Sequence, residues 1–138
     1  VGFDAIEVSQ GLQDFRDSKT LQGTPLRLGT VTTSQEGYFR SWCREVKQAI
    51  SKPTIMTGGM RSYELVEEVL AGGETDMVGM CRPFIREPGL VRRWERGERG
   101  RATCISCNGC ASGLMKGRPL ACALDERDPE RPGRHVAA

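Results

Sequence analysis

One stretch, Pro53 to Pro83 (PTIMTGGMRSYELVEEVLAGGETDMVGMCRP), limits what this chain can fold into more than any other. By pattern it holds a strand, Thr54-Ile55-Met56-Thr57, ending at Gly58-Gly59, and a second strand, Asp76-Met77-Val78-Gly79-Met80, ending at Cys81-Arg82-Pro83. Both are near-continuous apolar runs, as expected of parallel strands covered on both faces. Between them a helix is predicted over about 62–71, capped by Ser62 and stopped by Gly72-Gly73. Leu65, Val66, Val69 and Leu70 turn inward and Glu64, Glu67 and Glu68 outward. Such a unit brings Gly58-Gly59 and Arg82 to the carboxyl ends of neighbouring strands. Bare backbone N–H groups and an arginine fork suit an anion such as phosphate there. The alternative is that the glycines only turn a tight corner. Arg61 is either a substitute for Arg82 or a surface residue.

The flanks extend the same rhythm. Asp4 to Ser9 reads as a first buried strand within 3–9, and a helix is predicted over about 36–50. Its apolar stripe is Tyr38, Trp42, Val46 and Ile50, with Phe39 and Cys43 beside it and Ser34 as N-cap. Ser51-Lys52-Pro53 ends it. After the second strand of the central stretch, Pro88 opens a short basic helix of about 89–96, packing through Leu90, Val91 and Trp94. Strand and helix alternate, which predicts an α/β fold built of parallel β/α units. The segment from Gln10 to Gln35 shows no period and is expected to be a long functional or mobile loop. A core-like strand so near residue 1 reads as a chain that starts inside a domain.

Of 138 residues, 38% are hydrophobic and 28% charged, with a net charge of +2, so neither nucleic acid nor an anionic membrane is implied as a partner. No run of about 18 apolar residues is present. The first residues lack the basic start of a signal peptide, so a cytoplasmic location is expected. Of the six cysteines, four fall in Cys104-x2-Cys107-x2-Cys110-x11-Cys122. This clustering favours metal or cluster ligation over disulfides. Three thiolates on a tight loop and a remote fourth suit a 4Fe-4S cluster, four thiolates suit zinc, and a set of reduced thiols with nothing bound is the third alternative. Ser106 and Asn108 are expected to shape this loop through local hydrogen bonds. Cys43 reads as a small buried apolar residue. The end, DERDPERPGRHVAA, is charged and proline-bearing and is expected to be disordered.

Taken together, PTIMTGGMRS, TDMVGMCRPFIREPGLVRRW and ATCISCNGC resemble the C-terminal part of the old yellow enzyme family. The closer likeness is to NADH:flavin oxidoreductases of the 2,4-dienoyl-CoA reductase kind. DAIEVSQG and EGYFRSWCREVKQAI fit the same likeness, which covers about residues 2–124. The resemblance implies an FMN-binding TIM (β/α)8 barrel of which 1–100 supplies the last three β/α units, followed by a Cys-cluster loop (101–124) and a flexible tail (125–138). It implies an ene-reductase-like activity, hydride transfer from NAD(P)H to FMN and on to the β-carbon of an activated alkene in a small-molecule substrate. The FMN phosphate falls to Gly58, Gly59 and Met60 and to Cys81 and Arg82. Cys104, Cys107, Cys110 and Cys122 would hold the cluster. The family's catalytic groups are expected upstream, so no catalytic residue is assigned here. His135 reads as a surface residue of the tail, and Tyr38 and Tyr63 as packing on helix faces. A partial barrel exposes sheet edges, which predicts self-association into a homo-oligomer. The competing expectation is a non-catalytic metal- or iron–sulfur-binding assembly piece.

Overall fold

The computed structural model describes residues 2–9, 29 and 32–125. The loop expected over 10–35 lies mostly outside the described residues, as do His135 and the rest of the tail beyond Asp125.

Three short strands form one parallel sheet in the order β1-β2-β3: β1 is Ile6–Val8, β2 is Thr54–Thr57 and β3 is Met77–Gly79. Ile6 pairs with Thr54 and Val8 with Met56, while Ile55 pairs with Met77 and Thr57 with Gly79. Helix α1 (Arg40–Ala49) lies between β1 and β2 in sequence, and α2 (Tyr63–Ala71) between β2 and β3. Three short helices follow: α3 (Arg82–Arg86), α4 (Leu90–Glu95) and α5 (Gly109–Met115). Among the described residues no helix is long and apolar enough to cross a membrane.

Apolar burial between sheet and helices holds this layer together. Val8, Cys43, Met56, Met60 and Val69 form the main cluster, with Ile6, Val46, Leu65, Val66, Val78 and Met80 packed against it. Leu90, Trp94 and Ala102 form a second cluster, which shares Val66 and Met80 with the first. Tyr63 meets Trp94 edge-on at 5.7 Å, so its expected packing role holds.

Several expectations need correction. The helix predicted over 36–50 begins only at Arg40, because Gly37 adopts a left-handed φ of +56° and Glu36 is buried. Ser34 belongs to a separate 3-10 turn, Thr33–Gln35, and does not cap α1. The buried residue of α1 is Cys43, while Trp42 is 46% exposed and stacks on Phe39 at 5.5 Å. Tyr38 precedes the helix altogether. Ser62 stands at the N-cap of α2, but its hydroxyl donates to Glu36 Oε1 at 2.7 Å and makes no side-chain cap bond. The Cys-cluster loop expected over 101–124 contains a helix, α5. Arg82 and Pro83 open a helix, with Pro83 in the first turn, where its missing N–H costs nothing.

Candidate functional site: a glycine cleft beside a cysteine cavity

The carboxyl ends of β2 and β3 open into a solvent-facing cleft. Gly58, Gly59, Met60, Cys81 and Arg82 all line it, and so do Tyr38 and Arg61. The turn after β2 needs glycine. Gly58 has φ +130° and Gly59 φ +74°, where L side chains are strained. Space forbids a side chain as well: a Cβ on Gly58 would stand 2.7 Å from Phe39 Cδ2, and one on Gly59 2.8 Å from Tyr38 Cε1. The aromatic pair Tyr38–Phe39, packed edge to face at 4.6 Å, thus presses the bare backbone into the cleft.

Below this turn sits Glu36, whose side chain has no solvent exposure. Its carboxylate accepts the backbone N–H of Arg61 (3.1 Å) and of Ser62 (2.9 Å), the Ser62 hydroxyl (2.7 Å) and Nε of Arg101 (2.6 Å). One buried carboxylate therefore pins the end of the glycine turn to the start of the cysteine segment. Sequence reasoning missed it, because Glu36 looks like an ordinary first-turn acid of a helix.

Arg61 is not a surface residue: it is 2% exposed. Its Nη2 donates to the hydroxyl of Ser106 and lies 3.8 Å from Cys104 Sγ. Its carbonyl accepts Ala102 N–H at 3.0 Å. Its buried Nε has no hydrogen-bond partner. Burial pushes this guanidinium below the ordinary arginine value; Cys104 opposes the shift, while Arg82 and Arg101 add to it by repulsion.

Next to the cleft lies a second, small cavity lined by all four clustered cysteines together with Arg82 and Arg86. Arg82 thus borders both. Arg86 Nη1 donates to Cys122 Sγ at 3.4 Å and to Asp125 at 3.0 Å. Burial pushes the Cys110 thiol up. Ser106 (φ +53°) and Asn108 (φ +56°) are the non-glycine residues with left-handed φ among those described, and they flank Cys107. Each has a distant side-chain partner: Ser106 takes Arg61, and Asn108 accepts from Arg82 Nη1 at 2.5 Å. Among the described residues, no three Cys, His, Asp or Glu side chains converge closely enough to hold one metal ion.

Residues 3–100 match the NADH:flavin oxidoreductase / NADH oxidase family. The chain belongs to that family. Among its relatives is dimethylamine dehydrogenase of a Hyphomicrobium species, 37% identical over 83 residues, covering 59% of this chain and 11% of that protein. 4,4'-Dithiodibutanoate disulfide reductase of Rhodococcus erythropolis is 31% identical over 83 residues, covering 60% and 20%. A metal reductase of Desulforamulus reducens is 30% identical over 126 residues, covering 90% and 17%. The chain therefore spans a fifth or less of the length of these relatives. The structure of 6-hydroxypseudooxynicotine amine oxidase from Pseudomonas geniculata N1 is similar to it with a TM-score of 0.65 at 25% identity, over 86% of this chain and 16% of that one. The family is one of flavin-dependent, NADH-linked oxidoreductases, and the parallel α/β fold agrees with it.

Proposed function

We propose that this chain supplies the phosphate-binding end of an FMN-dependent NAD(P)H oxidoreductase, corresponding to the last three β/α units of a TIM barrel. The observation that carries this reading is the glycine turn at Gly58-Gly59, which lines the cleft with bare backbone because Tyr38 and Phe39 leave no room for a Cβ. A phosphate there would accept from backbone N–H groups of the turn and from the arginines that line the cleft. It would also relieve a specific electrostatic cost, since Arg61 and Arg82 repel each other at this spot and Arg61 Nε is buried without a partner. Bound FMN supplies hydride transfer between NAD(P)H and a small-molecule substrate. The chain's own residues bind and orient: Gly58, Gly59 and Met60 form one wall, and Cys81 and Arg82 the other. Tyr38 and Phe39 hold the turn, and no residue here is assigned a catalytic part.

We read the cysteine cluster as an iron–sulfur site, with zinc held by the same four thiolates as the alternative. A cubane cluster spaces its thiolates more widely, and all four cysteines border one cavity. Guanidinium donors at Cys104 and Cys122 suit the net negative charge of a thiolate-ligated cluster.

The holoprotein is expected to show flavin absorption, to release FMN on denaturation, and to bleach under NADH or NADPH without oxygen. A colourless protein that takes up no FMN would sink this reading.

A further inference from the structure

The two arginines of the cleft each hold one of the two left-handed residues of the cysteine loop: Arg61 holds Ser106 and Arg82 holds Asn108. Asparagine adopts the left-handed region readily, whereas a serine such as Ser106 stays there only where its surroundings hold it. The loop's shape around Cys107 therefore depends on groups that belong to the cleft. Arg61 carries the stronger claim. It is buried, its Nη2 reaches both Ser106 Oγ and Cys104 Sγ, its backbone is tied to Ala102 and Glu36, and its Nε is unpaired.

We propose that Arg61 is a positioning residue shared by two sites, so that anion binding in the glycine cleft and filling of the cysteine cavity are thermodynamically coupled through its guanidinium. This rests on the functional reading above and goes beyond it. An anion in the cleft fixes the guanidinium plane, and the fixed plane holds Ser106 and the Cys104 sulfur in place. The reverse holds equally, because coupling between two binding equilibria is reciprocal. The N–H donor at Cys104 also favours the more reduced, more negative state of a cluster ligated there.

The test uses the holoprotein, with iron and sulfide content determined first. FMN affinity is measured with the cluster intact and after iron is removed by a chelator. In the natural protein, iron removal is expected to weaken FMN binding about fivefold or more, the lower end of ordinary coupling. In Arg61→Met, which keeps the long apolar stem, that ratio is expected to fall to one. The cluster's midpoint potential, read by EPR-monitored titration, is expected to move negative. Ser106→Ala breaks the same link from the loop side and serves if Arg61→Met fails to fold; its ratio should also fall towards one. A ratio of one in the natural protein overturns the proposal, and so does an unchanged ratio and potential in both variants. Absence of iron in the natural protein removes the cluster and this inference with it, while leaving the flavin reading to its own test.

Discussion

Replacing Gly58 with alanine is expected to destabilise the protein by about 3 kcal/mol and to weaken FMN binding at least tenfold. Two costs add. At φ +130° an alanine occupies a region essentially reserved for glycine, which costs of order 1–3 kcal/mol. Its Cβ would also stand 2.7 Å from Phe39 and 2.8 Å from Tyr38. Phe39 is 1% exposed and has no room to retreat, so the rings or the turn must shift, at a further cost of about 1–3 kcal/mol. Gly73→Ala provides the comparison. Gly73 has φ +65° and nothing within 4 Å of a built Cβ, so only the backbone term remains, roughly 1–2 kcal/mol. Urea unfolding of both variants checks this. Equal losses would mean that the aromatic pair does not press on the turn.

The second large effect is expected at Glu36. Glu36→Ala strips one carboxylate from four donors: two backbone N–H groups, the Ser62 hydroxyl and Arg101. Breaking a buried charge pair by removing one partner costs about 3–5 kcal/mol. Arg101 is 29% exposed and can turn part of its charge to water, which places the expected loss near 3 kcal/mol. Because the two backbone donors belong to Arg61 and Ser62, the glycine turn should loosen as well, and FMN affinity should fall with stability. A thermal unfolding midpoint within about a degree of the natural protein's would show that this carboxylate holds nothing together.

Much of the frame was legible because its signals are local. The apolar runs gave β2 and β3, and the Leu65-Val66-Val69 face with its glycine stop gave α2. Gly58 and Gly59 followed from their place at a strand end. What escaped reading is held by partners far away in the chain. Arg61 meets Ser106 across 45 positions, and Glu36 meets Arg101 across 65. No local pattern marks either pair, so by pattern Arg61 reads as a substitute for Arg82 or a surface residue, and Glu36 as the start of a helix. The late start of α1 has the same origin: Gly37 turns left-handed so that the Glu36 carboxylate can reach the turn. Helix α5 is rich in glycine and short, so its intrinsic propensity is poor, and it follows a loop whose bends are imposed by Arg61 and Arg82. In each case tertiary contact overrode a local preference.

The central claim is that the cleft at the ends of β2 and β3 holds the phosphate of a flavin. Comparing the affinities of FMN and riboflavin for the flavin-depleted protein tests it most directly, since the two ligands differ only in that phosphate. Charge-assisted hydrogen bonds from an arginine and the turn backbone are worth about 1.5–3 kcal/mol each. FMN is therefore predicted to bind about 100-fold more tightly than riboflavin, or better. Equal affinities for the two would contradict the account.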